Sequence, residues 1–329
     1  MTLHRYHTLP DFLSQPRVEP ELLLRPWLPS GGITMLYGAR GGGKTGVTLA
    51  TALAVACGVS LLGEMYAPQP RRVLYVDGEM APTDVQKRLR KLLAGMPGVW
   101  ETPNLAVLTH ADYEHGIPDL HAPGGAGQQL IEWALAMHKA DLVILDNISA
   151  LFRSGEENSN DSWVTAAEWL LKLRRENIAS LLIHHAGKRD IEGRLRQRGA
   201  SKREDLMDAV LQLDETAKPS DGRVPLRLTY EKFRGFTPAE LSTDFSLVYD
   251  DEAARAWIED GNWQRRENKL AADAPKWLER ARELSGHGLS LREIGKEVGA
   301  NYVTVSRWLK KDGIEPTLAD LCEATAGEP

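Results

Sequence analysis

Short apolar runs alternate with longer stretches of helical spacing through the N-terminal part of the chain. Runs of this length, bounded by Gly, Pro or charged residues, are typical of buried strands. The predicted strands are Ile33–Tyr37, Arg72–Asp77, Leu105–Leu108, Asp141–Leu145 and Ala179–Ile183. The predicted helices between them are Lys44–Ala56, Pro82–Ala94, Gln128–His138 and Asp161–Glu176. This alternation predicts an α/β fold with a mainly parallel central sheet that is covered on both faces.

The pattern changes after Ala209, where apolar runs follow one another directly. The additional predicted strands are Ala209–Leu213, Val224–Tyr230 and Phe245–Tyr249, which we expect to extend the sheet as antiparallel edge strands. Beyond them the sequence is charged and then helical. The predicted organisation is an irregular lead-in (1–30), an α/β domain (31–250), a linker helix (251–272), a small all-α domain (273–312) and an acidic flexible tail (313–329).

Composition narrows the class of protein. The hydrophobic content of 42% and the charged content of 26% are ordinary for a globular protein, and no apolar stretch reaches the roughly 20 residues of a membrane span. The N-terminus lacks a secretory pattern, and the two cysteines, Cys57 and Cys322, form no disulfide framework. We therefore expect a cytoplasmic protein. The net charge of −6 argues against coating nucleic acid with the whole surface but leaves room for a local basic groove.

A glycine-rich segment separates the first predicted strand from the first predicted helix. Gly38–Thr45 has the sequence Gly-Ala-Arg-Gly-Gly-Gly-Lys-Thr, which matches the phosphate-binding pattern Gly-x4-Gly-Lys-Thr. Such a loop points its backbone N–H groups at phosphate oxygens, and the helix that follows adds the positive end of its dipole. The segment predicts ATP and Mg²⁺ as cofactors. The expected nucleotide-binding residues are Gly38, Ala39, Arg40, Gly41, Gly42, Gly43, Lys44, Thr45 and Gly46, with Thr45 also on the metal.

Two acids follow neighbouring predicted strands. Asp146 comes directly after Leu142–Leu145, where a carboxylate would face the Mg²⁺. Glu79 lies just beyond the second strand, where a carboxylate could polarise the water that attacks the γ-phosphate. Asp77 competes with Glu79 for that role, although Glu79 lies further beyond the strand.

A histidine pair ends the fifth predicted strand. His184 or His185 would lie near the γ-phosphate and could report its presence to the next loop. A metal site is the alternative, but adjacent strand residues point to opposite faces and neither Cys nor another His is close in sequence. A solvent-exposed pair without a function is the other interpretation.

These segments together resemble a known family. The sequences Val-Asp-Gly-Glu-Met at 76–80, Leu-Asp-Asn at 145–147, Glu-Glu-Asn at 156–158, His-His at 184–185 and Arg-Gly-Ala-Ser at 198–201 follow the phosphate loop in order. Over roughly residues 20–250 the chain resembles the RecA-like ATPases of the RepA type, the hexameric replicative helicases of plasmids. DnaB-like helicases and KaiC-like proteins are more distant relatives.

The resemblance implies a RecA-like P-loop fold and a role for each matching residue. Lys44 and Thr45 would bind the nucleotide and Mg²⁺, Glu79 would activate water and Asp146 would be the second acid. One histidine of the pair would sense the γ-phosphate. Arg198 matches the arginine finger that completes the ATP site of the neighbouring subunit. Lys232 and Arg234 match further basic residues at that interface, and a hexameric ring follows.

A basic, glycine-containing segment follows the histidine pair. It carries Lys188, Arg189, Arg194, Arg196, Arg198, Lys202 and Arg203. A basic loop of this kind could grip single-stranded DNA in the channel of a ring. A solvated charged loop is the alternative interpretation.

The C-terminal helical stretch, residues 289–311, resembles a helix-turn-helix. Ser290 could cap one helix, Gly299 suits the turn, and Tyr302–Lys311 would be the recognition helix. The expected DNA contacts are Thr304, Ser306, Arg307 and Lys310. A structural three-helix unit or a protein-docking module is the alternative.

The sequence therefore favours an ATP-dependent DNA helicase or translocase of plasmid, phage or mobile-element replication. Two alternatives stay open. One is a recombination or repair ATPase on the same fold. The other is an ATP-switched regulator that binds duplex DNA through residues 289–311.

Overall fold

The computed structural model describes residues 6–153, 160–187, 205–235, 242–261, 277–300 and 302–311. It divides into two compact units, residues 1–262 and residues 263–329. The described part of the chain contains no helix with the length and hydrophobicity of a membrane-spanning segment.

The described residues of the first unit form thirteen strands, which are β1 (Leu22–Leu24), β2 (Leu28–Pro29), β3 (Ile33–Gly38), β4 (Ser60–Leu62), β5 (Met65–Tyr66), β6 (Val73–Asp77), β7 (Leu105–Thr109), β8 (Leu142–Asp146), β9 (Ala179–His185), β10 (Ala209–Glu215), β11 (Arg223–Phe233), β12 (Ser242–Asp250) and β13 (Arg255–Asp260). Nine of them form one sheet, in the order β13-β12-β11-β10-β3-β9-β8-β6-β7, and β1-β2 and β4-β5 form two-stranded sheets. Strands β10, β3, β9, β8, β6 and β7 run parallel, whereas β11, β12 and β13 are added antiparallel. This arrangement confirms the predicted fold class of the large domain.

Helices cover both faces of the sheet. They are α2 (Lys44–Cys57), α3 (Pro82–Gly95), α4 (Ala126–His138), α5 (Ile148–Leu151) and α6 (Asn160–Arg175). The short helix α1 (Leu9–Ser14) has no buried residue. Helices α2 and α3 pack on one face and α4, α5 and α6 on the other, so that each face has its own apolar core. The parallel strands are buried on both faces, which explains why they appear in the sequence as continuous apolar runs.

The structure differs from the prediction of an irregular lead-in over residues 1–30. Strands β1 and β2 form a hairpin whose apolar side chains belong to the core beside α2. Leu23, Leu24, Trp27 and Leu28 are at most 3% exposed. The prolines of this segment favour the prediction of an irregular structure, but proline is tolerated in short edge strands and at turns.

The structure also differs from the predicted linker helix over residues 251–272. Its described part contains β13, which pairs with β12 from Phe245↔Asp260 to Asp250↔Arg255. Strand β13 contacts the end of α3 closely, since a Cβ on Gly95 would lie 2.3 Å from the carbonyl oxygen of Ala256. Pairing with an exposed sheet edge overrides the charged character of the segment.

The described part of the second unit consists of α7 (Leu278–Gly286), α8 (Leu291–Val298) and α9 (Tyr302–Lys311). Leu278, Ala281, Leu284, Ile294, Val305 and Leu309 form its core. Ser290 and Glu293 form a capping box at the start of α8, and Gly299 ends the helix with φ of 67°. Thr304 is exposed and Ser306 is half-buried, whereas the side chains of Arg307 and Lys310 lie outside the described residues. The assignment of this unit as a DNA-binding helix-turn-helix stays a prediction.

Replacing Ser290 with alanine should destabilise α8 by about 1 kcal/mol, because the capping hydroxyl satisfies an N–H group at the helix end. Hydrogen exchange of the α8 amides in the full chain would measure the change. Glu297→Ala, which alters an exposed residue of the same helix, is the control. Equal exchange in the two variants would contradict the capping role.

Candidate nucleotide-binding site

The glycine-rich loop joins β3 to α2 at the carboxyl end of the sheet. Gly41 and Gly43 have φ values of 77° and 75°, in the left-handed region that only glycine adopts readily. Gly43 is the N-cap residue of α2, so the first turn of the helix opens directly onto the loop. The free backbone N–H groups of that turn therefore face the region where a phosphate would bind.

Lys44 lies folded back across its own loop. Its Nζ donates hydrogen bonds to the carbonyl oxygens of Gly38, at 2.9 Å, and Ala39, at 2.6 Å. Burial lowers the pKa of Lys44 to about 8, while the nearby carboxylates of Asp146 and Glu79 oppose the shift. The ammonium group is thus buried but still mostly charged at neutral pH, which suits a group that binds phosphate.

Asp146 ends β8 and is buried beneath the loop, with 5% of its surface exposed. Tyr75 Oη donates to Asp146 Oδ2 at 2.5 Å, and Thr48 Oγ1 lies 3.5 Å from the same oxygen. Burial raises the pKa of Asp146, whereas hydrogen bonds from Tyr75 and Thr45 and the charge of Lys44 lower it. The second acid is therefore held next to the first turn of α2.

Asp77 and Glu79 have different surroundings. Asp77 is 1% exposed, and both of its carboxylate oxygens accept hydrogen bonds from the Met80 N–H, at 3.0 and 3.2 Å. Glu79 keeps 63% of its side chain exposed. The Asn147 amide donates a hydrogen bond to the Glu79 carboxylate, and His185 Nε2 lies 3.8 Å from it. Of the two acids, Glu79 is the one with a carboxylate open to solvent.

The two histidines lie on opposite faces of β9, as alternation along a strand requires. His185 faces the cleft, whereas His184 is 1% exposed and buried on the other face. Burial and then the charge of Lys44 lower the pKa of His185, although Glu79 opposes them. His185 is accordingly a neutral imidazole at pH 7, and it is the histidine that could contact a nucleotide.

The structure brings nine of the predicted site residues, namely residues 40–45, Glu79, Asp146 and His185, into one open cleft. The cleft is lined by Arg40, Gly41, Gly42, Gly43, Lys44, Thr45, Asp77, Glu79, Met80, Ala81, Asp84, Arg88, Asp146, Asn147, His185, Val224 and Tyr249. Val224 and Tyr249 come from β11 and β12, and nothing in the sequence marks them. The sequence indicates Asn147 only as part of the Leu-Asp-Asn segment and predicts no separate role for it.

Other predicted residues lie elsewhere. Lys232 is on β11 opposite Val210, and Arg234 donates a hydrogen bond to the Asp205 carbonyl oxygen at 2.6 Å. Neither residue lines the cleft of its own chain. Gly38, Ala39 and Gly46 belong to the loop and the first turn of α2 but are not among the cleft-lining residues. A further group of predictions falls outside the described residues. These are Glu156–Asn158, Lys188, Arg189, Arg194, Arg196, Arg198, Lys202 and Arg203.

The donors at the cleft fit a magnesium ion. The Thr45 hydroxyl and the Asp146 carboxylate are hard oxygen ligands, and Mg²⁺ commonly takes only one or two protein ligands beside phosphate oxygens and water. Among the described residues, no group of three or more His, Cys, Asp or Glu could hold a metal ion by itself.

Asp77→Asn should stabilise the protein at neutral pH. Burial raises the pKa of Asp77 to about 6 in the folded state, above its unfolded value of 3.8. The folded state therefore favours the protonated carboxyl of Asp77. The contribution of this carboxyl to the stability of the fold is fully present below pH 3.8 and is lost as the pH rises through about 6. Because asparagine stays neutral, the variant should melt several degrees above the wild type near pH 7.5 and at about the same temperature near pH 4. Melting curves that differ equally at both pH values would contradict this.

Comparison with known proteins identifies the family to which the chain belongs. Residues 2–190 match the family model described as the AAA domain. A comparison with curated proteins gives no match. Among solved structures, a KaiC-like protein from the hyperthermophilic archaeon Pyrococcus horikoshii is 15% identical, with a TM-score of 0.49 over 74% of this chain and 98% of that chain. The RadB recombinase is 21% identical, with a TM-score of 0.44 over 71% of this chain and 92% of that chain. The AAA-domain match spans more than half of the chain, which therefore belongs to that family of ATPases.

Proposed function

We propose that the protein hydrolyses ATP in this cleft and uses the energy to translocate along DNA or unwind it, as a RepA-like helicase would. The observation that carries hydrolysis is the convergence of Lys44, Glu79 and Asp146 on one solvent-open cleft, from the start of α2, the segment after β6 and the end of β8. A buried ammonium, an exposed carboxylate and a buried carboxylate supply the charge stabilisation, proton acceptor and metal ligand that phosphoryl transfer needs.

In the proposed reaction the triphosphate lies against the loop N–H groups and Lys44 turns from the loop carbonyls to the β- and γ-phosphates. A water molecule attacks the γ-phosphorus, its proton passes to Glu79, and the bond from the γ-phosphorus to the β-γ bridging oxygen breaks. The products are ADP and phosphate. Magnesium held by Thr45 and Asp146 would neutralise charge on the phosphates.

The donors next to Glu79 have separate roles in this proposal. The Asn147 amide fixes the orientation of a carboxylate that is otherwise exposed. His185, neutral and within 3.8 Å of Glu79, is the group that responds to the γ-phosphate. Hydrolysis can thereby alter the end of β9, from which the basic segment 188–203 continues.

We further propose that the site is completed by a neighbouring subunit of a hexameric ring. Arg198 would supply the arginine finger, and Lys232 and Arg234 would lie at the same interface. Arg198, coming from a neighbour, would neutralise charge that develops in the transition state, so that hydrolysis depends on subunit arrangement. The basic segment would grip single-stranded DNA in the channel.

The test of the motor function is ATP hydrolysis with and without single-stranded DNA, together with strand displacement on a forked duplex. We expect DNA to stimulate hydrolysis and the duplex to be separated, both only in the presence of ATP. A hydrolysis rate that is unchanged by DNA, together with no strand displacement, would exclude the proposed motor function. Mixed Arg198→Ala and Glu79→Gln subunits should regain partial activity if the finger acts between subunits, and complete lack of rescue would contradict it.

A second candidate function is an ATP-switched regulator that binds duplex DNA. The observation that favours it is the separate three-helix unit with its own core, capping box and exposed Thr304. Deleting residues 273–329 should then weaken duplex binding while basal hydrolysis persists. Unchanged duplex affinity after the deletion would remove this function.

A further inference from the structure

Tyr75 is a polar residue at the centre of an apolar strand. It lies in the middle of β6, and its side chain is fully buried in the core between the sheet and α2. Its neighbours on the strand, Leu74 and Val76, face the opposite core. A phenylalanine would fill the same apolar volume, so packing alone does not account for the hydroxyl group.

The hydroxyl has a specific acceptor. Tyr75 Oη donates to Asp146 Oδ2 at 2.5 Å, within the short range of hydrogen bonds to carboxylates. Register brings the two residues together, since Tyr75 pairs with Ile144 on β8 and Asp146 follows two residues later on the same face. A buried hydroxyl without a partner would be costly, and here the partner is the acid at the cleft.

Thr48 contributes a second hydroxyl to the same place. Its Oγ1 lies 3.5 Å from Asp146 Oδ2, and the carbonyl oxygens of Lys44, at 3.0 Å, and Thr45, at 3.1 Å, compete for its single proton. One oxygen of the Asp146 carboxylate is thus held from within the core. The orientation of the other oxygen is fixed with it, because the carboxylate is planar.

We infer that Tyr75 is a positioning residue that orients Asp146 toward the magnesium ion of the bound nucleotide. This inference rests on the proposed role of Asp146 as the metal-facing acid. Groups that hydrogen-bond to a metal ligand typically change metal affinity by 10- to 100-fold when they are removed. Tyr75 should therefore set the magnesium concentration that nucleotide binding requires, without touching the nucleotide.

The experiment compares Tyr75→Phe with a matched control in the same protein. Tyr37 is the other large, fully buried tyrosine, and its hydroxyl lies 3.1 Å from Gln212 Oε1, away from the cleft. Binding of a fluorescent, non-hydrolysable ATP analogue is titrated with MgCl₂ and repeated in EDTA. We expect Tyr75→Phe to raise the half-maximal magnesium concentration by about tenfold with little change in EDTA, and Tyr37→Phe to leave both unchanged.

Two further comparisons sharpen the test, and the first of them keeps the inference open to refutation if Tyr75→Phe folds poorly. Thr48→Val removes the more distant donor and should raise the magnesium requirement by a smaller factor. In an Asp146→Asn background, adding Tyr75→Phe should cause no further change, because the hydroxyl acts through the carboxylate. Equal magnesium midpoints for wild type and Tyr75→Phe, or an additive effect in the double variant, would overturn the positioning role. A wild type that binds no nucleotide with magnesium would instead refute the proposed function.

Discussion

Lys44→Ala is expected to lower the rate of ATP hydrolysis by at least about a hundredfold, since removing one preorganised charge-stabilising donor costs on the order of 10²–10³ in rate. Lys44 is the buried cation of the cleft floor, held 2.6–2.9 Å from two loop carbonyls and within reach of bound phosphate. No other lysine lines the cleft within the described part of the chain. Phosphate release under saturating ATP would measure the loss.

Lys172→Ala provides the control for this experiment. Lys172 also forms an ion pair, at 2.6 Å with Glu132, but it lies on α6 and does not line the cleft. The control should hydrolyse ATP like the wild type, because a half-exposed ion pair contributes little. Hydrolysis by Lys44→Ala at the wild-type rate would mean that the cleft is not the site of the reaction.

Glu79→Gln should separate nucleotide binding from hydrolysis. Glutamine keeps the size of the side chain but cannot accept the proton of the attacking water, so hydrolysis should fall by about 10²–10⁴-fold. ATP affinity should change little, since Glu79 lies at the exposed side of the cleft. Single-turnover hydrolysis and equilibrium binding of ATP would be measured on the same preparation.

Asp77→Asn decides between the two acids that the sequence offers. Both carboxylate oxygens of Asp77 accept a hydrogen bond from the Met80 N–H, and the residue is only 1% exposed, so its amide variant should retain most of the hydrolysis rate. Loss of hydrolysis in Asp77→Asn together with full activity in Glu79→Gln would assign the role of general base to Asp77 instead.

Features that depend only on neighbouring residues were predictable from the amino-acid sequence. The phosphate loop is specified by glycines that permit positive φ angles, followed by a helix that begins at Lys44. The parallel strands are specified by apolar runs, and Asp146 by its place at the end of one. These patterns are local. Steric limits on the backbone dihedral angles and the pattern of apolar residues in a strand both depend on only a few consecutive residues.

Tertiary structure decided which of these residues meet. It placed His185 in the cleft and His184 in the core, because a side chain on a strand takes the face that its register dictates. It brought Val224 and Tyr249 to the cleft from strands that lie far away in sequence. It turned the proline-rich stretch at 22–29 and part of the expected linker helix into strands, since pairing and burial against an existing sheet override local propensity.

The residues around the two acids also separate what the sequence predicts from what the tertiary structure decides. In the sequence Tyr75 is one more large residue of an apolar strand, and Asn147 merely follows Asp146. Their hydrogen bonds to Asp146 and Glu79 exist only because β6 and β8 are neighbours with Tyr75 opposite Ile144. The sequence determined that this chain carries a phosphate loop and its acids. The order and register of the strands determined how those acids are held, because hydrogen bonds between separate elements depend on distances that no local pattern records.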